Sequence, residues 1–319
     1  MAHHMEHRIT VAAPPHAVFD LVADVRRWPH VFPPTVHAEQ VERLADGERI
    51  RIWATANGQP KTWLSRRRVD REGLRIAFRQ EVSQAPVAAM GGEWIFTPAG
   101  AGSTEVRLLH DFDALGDDPD AVDWIRRAVD GNSDAELAAL RAAAERDDTE
   151  DLYSFDDTVT VRGDQADVYG FLNEADRWPQ RLPHVARVDL REETPGLQLL
   201  DMDTRTADGN THRTTSVRVC VPDELIVYKQ LRTPPLLSLH TGRWSLREAA
   251  GTLMVTSTHT VVIRPEAVPE LLGADATMAQ ARQRVRQALG GNSRATLQRA
   301  KEFAEARFAR IRDAASRIR

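Results

Sequence analysis

Trp63-Leu64-Ser65-Arg66-Arg67-Arg68-Val69 is followed, after a Glu72-Gly73 turn, by Leu74, Ile76 and Phe78 at every second position. The pattern predicts the two strands of a hairpin. Side chains alternate between faces along a strand. Trp63, Ser65, Arg67 and Val69 therefore share one face, and Leu64, Arg66, Arg68 and Asp70 share the other. The second face is charged and reads as wet. The first carries a Trp and a Val and reads as the inner face, with Arg67 drawn in beside them. A guanidinium keeps its proton, and burying it unpaired costs several kcal/mol. Two readings follow. Arg67 lines a polar cavity, or it is an ordinary surface arginine on a twisted strand.

The layout returns later in the chain. Thr214-Thr215-Ser216-Val217-Arg218-Val219 keeps the Ser-x-Arg spacing and precedes an alternating strand, Leu225-Ile226-Val227-Tyr228. Arg27-Trp28-Pro29 recurs as Arg177-Trp178-Pro179, Gln80 as Gln230, and Gly92-Glu93-Trp94 as Gly242-Arg243-Trp244, each 150 positions on. Gly131-Asn132-Ser133 recurs as Gly291-Asn292-Ser293, 160 positions on. The chain reads as a tandem duplication of a unit of about 150 residues, an ordinary domain size. The domains are expected at 1–147 and 152–319, either side of a charged linker at 147–151.

Each copy reads in the same order: strand, helix pair, six antiparallel strands, long helix. In the first, Pro14-Pro15 opens a helix with Val18, Phe19, Leu21 and Val22 on its apolar side, since proline suits a helix start. Residues 36–113 break into strands at Asp46-Gly47, Asn57-Gly58, Glu72-Gly73, Ala85-Pro86 and Gly100-Ala101-Gly102. Long helices are expected at 119–146, bent at Gly131, and at about 275–316. A seven-stranded antiparallel sheet with one long helix must bury one sheet face under that helix. The fold class is therefore α+β, two tandem helix-grip domains. Each is a curved seven-stranded antiparallel sheet wrapped on a long C-terminal helix, with its own pocket.

Composition narrows the function. At 319 residues, 42% hydrophobic and a net charge of −5, the chain is an ordinary globular protein with room for two cores, and no dedicated nucleic-acid binder. It has no apolar run of the ~20 residues that a membrane span needs. The start, Met1 to His7, is polar and reads as no signal peptide. The single Cys220 excludes an intramolecular disulfide and fits the cytoplasm, where the protein is expected. Cys220 itself reads as packing. The arginine-rich second long helix reads as a solvated face or as a dock for an acidic partner.

The last strand of each copy adds a histidine. Val106, Leu108, His110 and Phe112 share a face, as do Val255, Ser257, His259 and Val261. Each is a hydrogen-bonded core histidine or a working acid/base. Trp28, Trp63 and Trp94 in the first copy, and Trp178 and Trp244 in the second, are core residues or a ligand platform. Gly-x-Gly-x-x-Gly, the phosphate-binding loop, a Gly-x-Ser-x-Gly elbow and metal-ligand spacings are all missing from the sequence. Arg, His, Ser and Trp suit proton transfer and charge stabilisation around a polar, aromatic-lined ligand.

Trp-Pro after the first helix, Trp-x-Ser-x-Arg on a middle strand, Gly-x-Trp on the sixth and His on the seventh resemble the aromatase/cyclases of bacterial type II polyketide synthases. Their fold is the helix-grip of the START and birch-allergen (Bet v 1-like) superfamily. The resemblance covers both halves and implies a di-domain aromatase/cyclase. Such an enzyme folds a poly-β-ketone held by phosphopantetheine on an acyl carrier protein, closes a ring by aldol addition, and dehydrates it to an aromatic. Di-domain members are associated with chains reduced at C9 and with first-ring closure between C7 and C12. The resemblance implies Arg67, His110, Arg218 and His259 as catalytic. The substrate-binding residues expected beside them are Trp28, Trp63, Ser65, Trp94, Asn132, Glu136, Trp178, Ser216, His240 and Trp244. It calls for no cofactor and no metal. Partners are the carrier protein and other synthase subunits, with no nucleic acid and no membrane. A second reading is a protein of the same fold that shelters or transfers a hydrophobic ligand. The paired inner-face Arg and His favour the enzyme.

Overall fold

The computed structural model describes residues 2–56, 58–83, 85–146, 152–205, 211–249 and 251–317. The chain divides into two units, Met1–Asp148 and Thr149–Arg319. The expected linker at 147–151 lies outside the described residues. The first unit runs β1 (His3–Val11), α1 (Pro15–Ala23), α2 (Trp28–Val31), β2 (Thr35–Leu44), β3 (Gly47–Ala56), β4 (Gln59–Asp70), β5 (Arg75–Gln80), β6 (Val87–Pro98), β7 (Thr104–Ala114) and α3 (Pro119–Ala144). Pro15 opens α1, and Val18, Phe19, Leu21 and Val22 are its buried side. The Asp118 side chain accepts from the Asp120 N–H and caps α3. That helix runs as one element through Gly131.

All seven strands pair antiparallel, in the order β1-β7-β6-β5-β4-β3-β2. The core lies between the inner sheet face and the helices. Val11, Phe19, Ile76, Trp94, Phe96, Val106 and Leu108 meet Leu137 and Leu140 of α3 there. Burying each such leucine contributes about 1.5–3 kcal/mol.

The second unit repeats the plan. It runs β8 (Leu152–Val161), α4 (Gln165–Asn173), α5 (Trp178–Arg181), β9 (Val185–Thr194), β10 (Leu197–Arg205), β11 (Thr211–Val221), β12 (Leu225–Arg232), β13 (Leu237–Ala249), β14 (Thr252–Ile263), α6 (Ala267–Leu272) and α7 (Met278–Arg317). Its strand order is β8-β14-β13-β12-β11-β10-β9. Helix α6, which the sequence pattern did not predict, lies where the repeat offset lengthens. Both sheets wrapped on a long helix give the helix-grip arrangement twice.

Much of the basic character of α7 is spent inside the unit. Arg286 and Arg294 hold Asp157 of β8 at 2.8 and 3.0 Å, and Arg307 holds Asp167 of α4 at 3.0 Å. Outer-face Val217 and Val219 are buried, unlike exposed Arg66 and Arg68 in the first unit. Among the described residues no helix is long and apolar enough to cross a membrane.

Candidate active site

Strand register sets the candidate residues in one row. Glu48 of β3 faces Arg67 of β4, which faces Phe78 of β5. Phe78 faces Gly92 of β6, Gly92 faces His110 of β7, and His110 faces Met5 of β1. Gln198, Arg218, Tyr228, Gly242, His259 and Phe155 form the same row in the second unit. Directly opposed residues point to the same face. Arg and His stand three strands apart, roughly 14 Å at ~4.8 Å per step. They can flank an extended ligand, but they do not reach one atom together.

Each row looks at its long helix. Ser133 Oγ of α3 lies 3.4 Å from His110 Nδ1, a long contact, and Ser293 Oγ of α7 lies 2.5 Å from His259 Nε2. The glycine of the Gly-x-Trp pattern has a steric purpose. A Cβ at Gly92 would overlap the Leu109 carbonyl and press on the Phe78 ring, and one at Gly242 would overlap the Tyr228 ring. The bare backbone lets each ring lean across to the histidine. Phe78 meets His110 edge-on at 5.6 Å, and Tyr228 Oη stands 3.3 Å from His259 Nδ1.

The arginines are buried, at 4% and 2% exposed, which removes the surface reading. Their partners differ. Arg67 donates from Nε and Nη2 to Glu48, from Nη1 to Val22 O at 2.9 Å, and from Nη2 to Ala23 O at 2.8 Å. It thus closes the C-terminus of α1, where a cation is favourable. Of the five N–H groups of a guanidinium, these four bonds leave one for a ligand. Arg218 likewise closes α4, through Leu172 O at 2.6 Å and Asn173 O at 3.4 Å. Its side-chain partner is neutral, Gln198 Oε1 at 2.8 Å. Among the described residues no carboxylate touches Arg218, so its charge is the less cancelled of the two. Burial lowers both guanidinium pKa values, and both groups stay charged.

The tryptophans divide. Trp28 and Trp178 lie under the guanidinium carbons of Arg67 and Arg218, at 5.3 and 5.1 Å. Their indole N–H groups are held by Val22 O and Phe171 O. Trp63 is half-buried beside Ile50 and Ile52. Trp94 and Trp244 are 6% and 5% exposed inside the two cores, so they serve as packing. The Ser65 hydroxyl donates to Arg79 O at 3.1 Å and is thereby tied to the sheet; Ser216 is buried. Cys220 is buried, with its thiol pKa raised by desolvation, consistent with packing.

On α3 the structure corrects one expectation. Asn132 is exposed, while Ser133, next along the helix, turns inward. Glu136, on the same side as Ser133, is half-buried, and desolvation pushes its carboxyl up to about 7. Ser133, Ser293, Glu48, Gln198 and Tyr228 were not anticipated as site residues. The recurring Gly-Asn-Ser was the available signal for the serines.

Both row histidines depart from their ordinary pKa near 6.5. Burial lowers His110 to about 4, assisted by nearby His7, and lowers His259 to about 4. Burial also takes His240, 2.9 Å from His259, well below the usual range. All three are neutral at pH 7. The unfolded chain binds a proton near pH 6.5 that folded His259 refuses until about pH 4. Stability therefore falls as pH drops through that window, by about 1.4 kcal/mol per unit for this one residue. Paired carboxylates such as Asp157 add to the loss only below about pH 4. Thermal melts across this range should show the decline, and His259→Gln should make it shallower, with His110 and His240 supplying the remainder. A level wild-type profile would contradict the buried neutral imidazole.

A family pattern described as polyketide cyclase/dehydrase and lipid transport matches residues 2–145, and a second with that description matches residues 161–288. The granaticin polyketide synthase bifunctional cyclase/dehydratase of Streptomyces violaceoruber is 47% identical over 306 residues, covering 95% of this chain and 94% of that protein. The actinorhodin counterpart of Streptomyces coelicolor is 47% identical over 311 residues, covering 93% and 96%. The crystal structure of the di-domain ARO/CYC BexL from the BE-7585A biosynthetic pathway superposes with a TM-score of 0.90. It is 53% identical and covers 95% of this chain and 99% of that one. With two matched halves and relatives aligned over nearly their full length, the chain belongs to the polyketide cyclase/dehydrase family, as an enzyme of its di-domain aromatase/cyclase branch.

Proposed function

We propose that this protein folds a carrier-bound poly-β-ketone reduced at C9, closes its first ring between C7 and C12, and dehydrates that ring to an aromatic. The observation that carries the reading is the Arg-to-His row, kept on the inner face of both units. Aldol closure needs a base for the methylene proton and a positive centre for the developing enolate or alkoxide. Dehydration needs an acid for the departing hydroxyl. In the first unit His110, buried and neutral, supplies the base and becomes the acid once it holds the proton. Arg218, with no carboxylate against it among the described residues, is the stronger source of positive potential, and fixed charge of this kind is commonly the largest catalytic contribution. Arg67 brings one unspent N–H and a charge shared with Glu48. Glu136, with its carboxyl near neutrality, is a further proton donor in the first unit. The acyl carrier protein presents the chain through phosphopantetheine, alongside other synthase subunits. The names of the granaticin and actinorhodin relatives support the reaction pair.

Reconstitution with a minimal polyketide synthase tests this, with ring connectivity read by NMR. The C7–C12 aromatic should form when ketoreductase is present and fail when it is omitted. If a His110→Ala/Arg218→Ala variant, folded by circular dichroism, still gave that product at wild-type yield, the protein would be a ligand shelter instead.

A further inference from the structure

The histidine of the second row is fully engaged. His259 Nε2 meets Ser293 Oγ at 2.5 Å, and its Nδ1 meets His240 Nε2 at 2.9 Å with Tyr228 Oη 3.3 Å away. No ring nitrogen of His259 is left for a ligand. His240 is different. It is 2% exposed, and its Nδ1 has no hydrogen-bond partner among the described residues. Buried polar groups are nearly always partnered, and an orphan is costly to keep. A second orphan lies on the neighbouring strand. Gln230 Oε1 is also buried and unpartnered. The β12–β13 ladder ends with Lys229 facing Thr241, and Gln230 and His240 are the next residue on each strand. Gln230 faces Ser216, and His240 faces Val261, which places both on the inner face. In the first unit the counterpart of His240 is Met90, and His110 Nε2 has no hydrogen bond among the described residues. The two repeats thus present their open imidazole nitrogen on different strands.

We infer that in the second unit His240, not His259, touches the substrate, its Nδ1 forming with Gln230 Oε1 one edge that reads the enol form of a β-diketone segment. The inference rests on the polyketide reading and specifies which atoms do the reading. An enolised β-diketone offers one hydroxyl donor and one carbonyl acceptor side by side. Gln230 Oε1 accepts from the hydroxyl, and His240 Nδ1–H donates to the carbonyl. Burial keeps both imidazoles neutral, so a single proton lies between His240 Nε2 and His259 Nδ1. When that proton belongs to His259 Nδ1, His259 Nε2 accepts from the Ser293 hydroxyl and His240 carries its own proton on Nδ1, the donor state; when it belongs to His240 Nε2, His259 carries its proton on Nε2 and donates to Ser293 Oγ, and His240 Nδ1 is the acceptor. As acceptor, Nδ1 takes a proton from the methylene between two carbonyls, and the C–H electron pair becomes the enolate. The enolate carbon bonds to a ketone carbon, whose oxygen becomes an alkoxide. That alkoxide takes the proton back from Nδ1. His259 and Ser293 are positioning residues that share the transient charge through the chain of hydrogen bonds.

The full chain with isotope-labelled histidine ring nitrogens is titrated with benzoylacetone, a β-diketone, and with butyrophenone, its mono-ketone analogue. The His240 Nδ1 resonance should move with the diketone and stay with the mono-ketone. The diketone should bind about tenfold tighter. His240→Met should erase that preference, and Gln230→Leu should weaken it. His240→Asn, which sets an amide near the Nδ1 position, should keep part of it. Melting curves confirm that each variant folds. Movement confined to His259, a preference surviving in His240→Met, or no binding of either probe overturns the inference. Product formation is scored separately. Wild-type product without diketone preference sinks this site alone, while intact diketone recognition without catalysis sinks the enzyme reading.

Discussion

Arg67→Ala is expected to destabilise the first unit by about 3–5 kcal/mol, the usual cost of breaking a buried ion pair by removing one partner. The loss has two sources. The Glu48 carboxylate, 17% exposed, loses the cation that faces it. The Val22 and Ala23 carbonyls at the end of α1 lose their donors. Arg67→Met/Glu48→Gln should recover a large part, because no bare charge is then left inside. Arg218→Met should cost less, about 1–3 kcal/mol, since its partners Gln198, Leu172 and Asn173 are neutral. Urea titration of the full chain measures all three. Equal losses at the two arginines, or no recovery in the double variant, would refute this account of Glu48. The consequence for function is direct. A failure of Arg67→Ala to make product reports on folding first, whereas Arg218→Met reads the electrostatic contribution more cleanly.

The sequence revealed the fold because two periods coincided. Alternation along Trp63 to Val69 set the face of Arg67, and the recurrence of landmarks after 150 positions showed that the face was kept. The partners of Arg67 were hidden for a physical reason. Glu48 lies on another strand, and its place opposite Arg67 depends on a ladder register that the Asn-Gly signal in the sequence alone does not fix. The inward place of Ser133, and not of Asn132, is legible in the helix period. Val129, Leu137 and Leu140 define the buried stripe of α3, and position 133 continues it while 132 falls about 100° away. The histidine pKa values were not legible at all. They follow from desolvation, which depends on how much of the helix and neighbouring strands closes over each ring.

His110→Ala is expected to slow formation of the cyclised product by about 10²–10⁴, the usual contribution of a positioned acid/base. The pH profile separates this role from a packing role. A base works when deprotonated. His110 is held at about 4 by burial, so wild-type single-turnover rates should show no loss as pH falls from 7 and drop only as it nears about 4. A histidine at its ordinary value would bring the break up to about 6.5. Measurements are kept short of the acid unfolding caused by the buried histidines, and the folded fraction is read in parallel. In His110→Ala that low-pH break should vanish along with the rate. Ser133→Ala should leave most of the rate, because a contact of 3.4 Å is at the weak end of hydrogen bonding. A wild-type break near 6.5 would refute the desolvated imidazole. An unchanged rate in His110→Ala, with melting intact, would move the first unit's proton transfer elsewhere. Glu136, with its carboxyl near 7 on the same side of α3, would then be the next residue to remove.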